Sequence, residues 1–248
     1  MADLYVSEHV PDPDVQPIVV LVHGSMDRSA AFARTVGHLR DLHTIRYDRR
    51  GYGKSQACGT TDIAGHVDDL LAIIDGRPAV VVGHSLGGVI TLRAAQVAGP
   101  ELVRAVGVYE APMPWIDWWP SRSAGEEARR AGSSEDAAEA FMRRMIGDAR
   151  WEGLPAGTRA DRRAEGAALL AELASARTGP AYDIERVRCP VLVARGTEAA
   201  EHHKQGSDAL SHAVDREVTV FAGAGHGGHV SHHVEFAAFA REVYNAGR

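Results

Sequence analysis

Short apolar runs alternate along the chain with longer stretches of mixed polar and apolar residues. Seven runs have the length and composition of buried strands: residues 4–8, 18–22, 43–47, 79–82, 103–109, 191–194 and 217–221. Five stretches between them have the apolar spacing of helices: residues 29–39, 62–74, 86–97, 204–212 and 234–244. This alternation predicts an α/β fold in which helices cover both faces of a mostly parallel, doubly wound sheet.

Residues 112–180 interrupt the alternation. The segment opens with prolines and tryptophans and continues with helical runs rich in alanine, arginine and glutamate. It contains no strand-like run, and its charged stretches at 126–130 and 159–165 are typical of solvated helix faces. We therefore divide the chain into a core formed by residues 1–111 and 181–248 and a helical segment at 112–180.

The strongest chemical signal is the sequence Gly83-His84-Ser85-Leu86-Gly87. It lies between an apolar strand and a helix-like run, so the serine falls on a sharp turn from strand to helix. Small residues two positions away on each side avoid collisions in this strained turn. The turn exposes the serine hydroxyl, and it leaves the Leu86 N–H at a helix N-terminus, where it can bind a developing oxyanion. The segment predicts a serine nucleophile.

Composition limits the binding partners and the cellular location that we expect for the protein. The chain has 248 residues, enough for a substantial core, and its net charge of −6 argues against nucleic acid, whose binding needs a basic face. Residues 1–17 lack the apolar run of a signal peptide, and no segment has the roughly 20 apolar residues of a membrane helix. Cys58 and Cys189 are far apart in sequence, which favours reduced thiols. We expect a cytoplasmic protein with a small-molecule substrate and without nucleic-acid or membrane partners.

Three further segments follow predicted strands: His23-Gly24-Ser25, Tyr-Asp-Arg-Arg-Gly-Tyr-Gly-Lys-Ser at 47–55, and Gly-Ala-Gly-His-Gly at 223–227. In this order and at these intervals, the chain resembles the α/β-hydrolase superfamily over nearly its whole length. The resemblance implies the α/β-hydrolase fold, with residues 112–180 as a helical cap between the strands that the family numbers sixth and seventh. It also implies that residues 48–50, 54 and 55 support the active-site edge without a chemical role.

A serine nucleophile needs a base, and the resemblance assigns that role to His226 in the glycine-rich loop after the last strand. His229 is expected to line this loop, and His232 and His233 are expected to be exposed at the start of a helix. The chain has no H-E-x-x-H motif and no nearby ligand set, so we expect no metal ion and no cofactor.

The carboxylate that orients the base has two candidate positions. Most of the family places an aspartate after the seventh strand, but Ala199 stands at that place here. Other branches place the acid after the sixth strand, where this chain has Glu110. The order Ser85, Glu110, His226 agrees with nucleophile, acid and base. We assign the acid to Glu110 and keep Glu198 and Glu201 as alternatives.

The resemblance places the second oxyanion donor at the Ser25 N–H, with Met26 as the neighbouring alternative. The aromatic residues that open the helical segment either fix it to the core or line an acyl pocket beneath it. The residues expected to bind substrate are Met26, Met113, Trp115, Trp118 and Trp119.

A serine nucleophile indicates acyl chemistry, because relatives on this fold that open epoxides or remove halides attack with an aspartate. We expect hydrolysis of a carboxylic ester or lactone of a small, largely apolar substrate through an acyl-Ser85 intermediate. Alternatives on the same fold are a C–C bond hydrolase, a thioesterase, an acyltransferase and a cofactor-free perhydrolase. A receptor that binds a small molecule without turnover is the alternative from another class.

Overall fold

The computed structural model describes residues 4–248, so the first three residues of the predicted core lie outside it. Within the described residues, seven strands form one sheet in the order β1-β3-β2-β4-β5-β6-β7. β1 is antiparallel to β3, and all the other neighbours are parallel, which confirms the predicted α/β architecture. The strands are β1 (Val6–His9), β2 (Ile18–Val22), β3 (Thr44–Tyr47), β4 (Ala79–His84), β5 (Val103–Tyr109), β6 (Val191–Gly196) and β7 (Thr219–Phe221).

Helices cover both faces of the sheet. In chain order, the α-helices of the described residues are α1 (Ala33–Gly37), α2 (Ile63–Ile74), α3 (Leu86–Ala98), α4 (Ala124–Arg129), α5 (Ser134–Ile146), α6 (Asp148–Glu152), α7 (Ala156–Ala164), α8 (Gly166–Ser175), α9 (Glu201–Ala213), α10 (Gly228–Ser231) and α11 (His233–Ala246). Short 3₁₀ helices lie at Ser29–Phe32, Gly53–Cys58 and Ile184–Arg186.

The core has two apolar layers because successive side chains of a strand point to opposite faces of the sheet. On β2, Ile18, Val20 and Val22 pack with α2 and α3, whereas Val19 and Leu21 pack with α11. All five side chains are fully buried. A strand that is apolar at every position is therefore the expected pattern for this central place in the sheet.

β4 is longer than the predicted strand 79–82. It continues to His84, because Gly83 pairs with Val22 of β2 and His84 pairs with Tyr109 of β5. Gly83 and His84 interrupt the apolar pattern, so the apolar run by itself predicts that the strand ends before its observed end at His84. The strand consequently reaches the residue directly before Ser85.

The predicted helix 29–39 is wrong as a continuous element. Ser29–Phe32 is a 3₁₀ turn, and only Ala33–Gly37 is α-helical. The Ser29 N–H donates to the Asp48 carboxylate at 2.8 Å, a contact with the loop after β3 that fixes the start of the segment. The other predicted elements begin and end within three residues of their observed bounds.

Helices α4–α8 follow one another between β5 and β6, and residues 112–180, all of which are described, contain no strand. We call residues 112–180 the helical insertion. An apolar cluster joins it to the core: Trp151 and Leu169 of the insertion pack in the same cluster as Met26 and Tyr52 of the core loops.

A fully buried ion pair fixes the insertion more specifically. Nη1 of Arg49, in the loop after β3, lies 2.8 Å from Oε2 of Glu172 in α8, and neither side chain is exposed. The Tyr52 hydroxyl donates to Oε1 of Glu172 at 2.7 Å, and the Arg49 guanidinium also donates to the carbonyls of His23 and Gly24. Burial alone would raise the pKa of Glu172, but the Arg49 charge and the nearby His66 lower it below the ordinary value.

Replacing Glu172 with glutamine should lower the free energy of unfolding by about 3–5 kcal/mol, because Arg49 would then be buried without a compensating charge. Urea denaturation followed by circular dichroism measures this loss. The difference from wild type should shrink as the pH falls. A carboxyl whose pKa is lowered in the folded state stabilises the fold above its unfolded pKa, and acidification through the folded pKa removes that contribution.

Glu139→Gln is the matched control. Glu139 pairs with Arg143 and Arg163 on the solvent side of the insertion, where all three side chains are partly exposed. Its loss should cost less than about 1 kcal/mol. Equal losses for the two variants would contradict the special contribution of the buried pair.

Candidate active site

The turn at Ser85 connects β4 to α3 without an intervening loop. Ser85 has φ 53° and ψ −126°, a strained conformation for a residue with a side chain. A Cβ on Gly83 would lie 2.3 Å from the Gly87 carbonyl oxygen, and a Cβ on Gly87 would lie 2.2 Å from the Val22 carbonyl oxygen. Both positions therefore require glycine.

Backbone hydrogen bonds hold the turn in this conformation. The Ser85 N–H donates to the Tyr109 carbonyl at the end of β5, and the Gly88 N–H donates back to the Ser85 carbonyl, both at 2.8 Å. Ser85 is half-buried and lines a cavity of about 270 Å³. The strained turn thus presents the serine to this cavity.

His226 and Glu110 meet at the same edge of the sheet. Nδ1 of His226 lies 2.7 Å from Oε2 of Glu110, while Oε1 of Glu110 accepts the Gly196 N–H at 2.9 Å. Glu110 directly follows β5, has φ 49° and is fully buried. His226 lines the cavity that Ser85 lines. The structure therefore brings together the three residues predicted as nucleophile, acid and base.

The two alternative acids form no hydrogen bond or ion pair with His226 among the described contacts. Glu198 and Glu201 are both exposed, and the side chain of Glu198 accepts a hydrogen bond from the Thr197 hydroxyl at 3.3 Å. Ala199, at the place where most relatives have aspartate, is buried and has no polar side chain. Among these carboxylates, Glu110 is the one that contacts His226.

The predicted oxyanion donors lie on two segments of the cavity wall. Ser25 and Leu86 both line the cavity, and Leu86 is the first residue of α3. Met26, the alternative donor and a predicted substrate contact, is not among the lining residues. Its side chain is buried in the cluster that holds the helical insertion, and its carbonyl accepts a hydrogen bond from Arg162 at 2.7 Å.

Of the predicted aromatic contacts, Trp119 lines the cavity. Trp115 instead packs edge-on against Tyr182, with ring centroids 5.5 Å apart, and Trp118 is 42% exposed. Met113 is buried in the core and does not line the cavity either. Met113, Trp115 and Trp119 all belong to one core cluster, and of these three it is Trp119 that also lines the cavity.

His202 and His203, which no motif in the sequence points to, also line the cavity. The His203 ring stacks on His226 with centroids 4.2 Å apart. The Trp119 ring contacts the rings of both His202 and His203. Burial, helped by the nearby His226, lowers the pKa of His203 well below its usual value. The predicted helix began at residue 204, and its true start at Glu201 places this pair on its first turn.

The remaining histidines of the C-terminal loop occupy different environments. His229 is buried, and its Nε2 lies 2.8 Å from Oδ2 of Asp27. The expectation of exposure is wrong for His232 and His233, which are half-buried. The ring of His233 stacks on His38 of the loop after α1, with centroids 5.2 Å apart, which explains its partial burial.

The lining of the cavity is mixed in character. Its apolar part includes Leu86, Phe141, Met145 and Leu173, and most of these come from the helical insertion. Its charged part comes mainly from the insertion as well: Glu126, Arg129, Arg144 and Arg177.

No helix of residues 4–248 is long and apolar enough to cross a membrane.

Residues 19–239 match the Alpha/beta hydrolase family, and the chain therefore belongs to this family. Lipase LipV of Mycobacterium tuberculosis is 31% identical over 107 residues, which cover 42% of this chain and 40% of the lipase. The chain matches less than half of the length of each curated relative found.

Solved structures extend the likeness over the whole fold. The enol-lactonase of Burkholderia xenovorans LB400 superposes with a TM-score of 0.73 at 20% identity, covering 98% of this chain and 96% of that one. A bromoperoxidase of Bacillus anthracis superposes with a TM-score of 0.71 at 21% identity, covering 98% and 95%. At these identities, the likeness shows a shared fold.

Proposed function

We propose that this protein is a serine hydrolase that cleaves a carboxylic ester or lactone of a small, largely apolar molecule. The observation that carries the proposal is the hydrogen bond between His226 and the buried Glu110, beside a cavity that Ser85 and His226 share. A histidine oriented by a carboxylate is the arrangement that activates a serine hydroxyl.

Glu110 fixes the tautomer of the base. Because its carboxylate accepts the Nδ1–H of His226, Nε2 carries no proton and can accept one from the Ser85 hydroxyl. Ser85 Oγ attacks the carbonyl carbon, and the buried negative charge of Glu110 stabilises the imidazolium that forms. His226 then gives this proton to the leaving alcohol. Water, deprotonated by the same histidine, releases the acid from the acyl-serine.

Backbone N–H groups bind the oxyanion in this mechanism. The Leu86 N–H at the start of α3 and the Ser25 N–H after β2 are the proposed donors, since both residues line the cavity beside Ser85. Fixed donors in an enclosed site stabilise a developing charge strongly, because they need no reorientation during the reaction. No step requires a cofactor.

The helical insertion is proposed to act as the cap that selects the substrate. It supplies much of the apolar cavity wall, and the cavity volume of about 270 Å³ suits a small acyl group. An esterase or lactonase assignment agrees with the similarity to a lipase and with the fold shared with an enol-lactonase. A cytoplasmic location is proposed with it, because the chain has two cysteines that lie far apart in the sequence, a usage that suits a reducing compartment.

Ser85→Ala and His226→Ala should each lower ester hydrolysis by several orders of magnitude, because triad members act as a unit. A fluorophosphonate probe, which reacts with activated serines, should label wild type and fail to label Ser85→Ala. Ser123→Ala is the matched control, since Ser123 lines the same cavity but its hydroxyl oxygen accepts the Glu126 N–H at the start of α4. Labelling and hydrolysis that persist in a folded Ser85→Ala protein would contradict the acyl-enzyme mechanism. Absence of labelling in wild type would favour the non-catalytic receptor.

Glu110→Gln should lower kcat by roughly 10⁴-fold, by analogy with an aspartate-to-asparagine change in a serine triad. Glutamine keeps the volume but removes the charge that stabilises the imidazolium. Glu198→Gln is the matched control because Glu198 lines the cavity without contacting His226, and its activity should stay near wild type. If Glu198→Gln is inactive and Glu110→Gln is active, the acid lies after β6.

Trp119→Ala should change the selectivity among acyl groups of graded size, because Trp119 lines the cavity. Trp118→Ala serves as the control, since its ring is largely outside the cavity wall and 42% exposed. Values of kcat/KM for a panel of esters, lactones and thioesters measure the effect and also separate the alternative reactions. A lower melting temperature of Trp119→Ala with unchanged selectivity would show that this ring only fixes the insertion.

A further inference from the structure

The helical insertion places three arginines in the wall of the cavity beside the proposed triad: Arg129, Arg144 and Arg177. Two carboxylates, Glu126 and Glu198, are in the same wall. Leaving the histidines aside, the wall therefore carries one positive charge in excess, whereas the whole chain has a net charge of −6. A local charge opposite in sign to that of the rest of the protein favours an anionic ligand in this cavity.

Two of these arginines share one carboxylate. Arg129 and Arg177 both contact Oε1 of Glu126, the first of them at 3.4 Å. Glu198, the other carboxylate of the wall, forms no ion pair with an arginine of the wall among the described residues. The pairing within the wall therefore does not extend to Arg144.

Arg144 has no hydrogen-bond partner among residues 4–248. Its ion-pair partner, Glu127, is distant, because Oε1 of Glu127 lies 3.8 Å from Nε of Arg144, which is too far for a hydrogen bond. The Arg144 side chain is 57% exposed. Both of its Nη groups can therefore donate to a ligand in the cavity.

The neighbouring Arg143 shows how the same side chain is paired where it does not line the cavity. It forms ion pairs with three carboxylates, those of Glu139, Asp148 and Glu152. Helix geometry explains the difference, because Phe141 and Arg144 lie three positions apart and share the face of α5 that lines the cavity. The chain thus supplies three carboxylates for Arg143 and only the distant Glu127 for Arg144.

Arg144 is close to the histidines that flank the proposed base. His202 lines the cavity from the first turn of α9, in the core, and has no hydrogen-bond partner among the described residues. Burial lowers the pKa of His202, and the nearby charges of His226 and Arg144 lower it further. The rings of His202, His203 and His226 follow one another with centroids 4.3 and 4.2 Å apart. A group bound by Arg144 therefore lies in the same cavity as the reacting atoms.

The rest of the wall limits the kind of anion that fits. Phe141, Met145 and Leu173 are apolar, and the cavity volume of about 270 Å³ suits a short apolar chain. One excess positive charge matches one carboxylate, whereas a phosphate group carries about −1.5 to −2 charges at pH 7. A planar carboxylate also accepts two parallel N–H bonds from a guanidinium group.

We propose that the substrate is an ester or lactone whose short apolar acyl chain ends in a carboxylate, and that Arg144 binds this carboxylate. The proposal rests on the proposed function, because it places the ester carbonyl at Ser85. The apolar wall contacts the chain between the two groups. Arg144 selects and orients the substrate and takes no part in the acyl transfer.

Matched pairs of 4-nitrophenyl esters test the proposal. In each pair the diacid is glutarate or adipate, and its second carboxyl group is either free or methylated. After subtraction of the uncatalysed rate, wild type should favour the free carboxylate by roughly tenfold in kcat/KM, as expected for one charged hydrogen-bonded pair. Arg144→Gln should lose this preference mainly through KM, because the contact is the same in the ground state and the transition state. Arg144→Lys should keep part of the preference, and Arg144→Glu should reverse it.

Arg150→Gln is the matched control. Arg150 is an exposed arginine of α6 in the same insertion, and it does not line the cavity. Its replacement removes the same charge from the protein and should leave the preference at the wild-type value. An equal loss of preference in Arg150→Gln and Arg144→Gln would contradict a carboxylate site at Arg144.

Binding to Ser85→Ala separates a failure of this proposal from a failure of the proposed function. In calorimetric titrations, Ser85→Ala should bind monomethyl glutarate more tightly than dimethyl glutarate, and adding Arg144→Gln should remove the difference. The carboxylate site is overturned if the two compounds bind equally well, if wild type prefers the methylated 4-nitrophenyl esters, or if Arg144→Gln keeps the preference for the free carboxylate. The proposed function alone fails if wild type hydrolyses none of the esters while Ser85→Ala still binds monomethyl glutarate through Arg144.

Discussion

The close approach of the turn at Ser85 to the end of β2 is the constraint on which the site depends. α3 starts directly after β4, and Gly87 lies so near the Val22 carbonyl that a Cβ there would come within 2.2 Å of it. This contact fixes the start of α3 and the left-handed conformation of Ser85. The loop after β2 is held against the same turn, which places Ser25 and Leu86 on one cavity wall.

The register of the parallel strands then decides which carboxylate reaches His226. β5 lies between β4 and β6, and Tyr109 pairs with His84 on one side and with Ala194 on the other. The residue after Tyr109 is consequently beside both the Ser85 turn and the Gly196 N–H. Glu110 uses this position, and its left-handed backbone turns the side chain toward His226. In the proposed mechanism, an acid directly after β5 thus takes the place of one from the loop after β6.

Properties that depend on local pattern could be predicted from the sequence. The strands, the strained turn at Ser85 and the position of Glu110 after an apolar run are all visible in consecutive residues. Contacts that depend on the path of a loop could not be predicted from the sequence. Trp115 and Trp119 lie four residues apart and both pack against the core, but of the two it is Trp119 that also lines the cavity. His203 approaches His226 only because α9 begins earlier than its apolar spacing indicates.

The stacked histidines around His226 have an electrostatic consequence. The imidazolium that forms on His226 would be opposed by a second positive charge at short range, because charges interact strongly in a poorly hydrated interior. Burial, with help from neighbouring histidine charges, lowers the pKa of both His203 and His84, so the two rings next to His226 favour the neutral form and do not add a second positive charge.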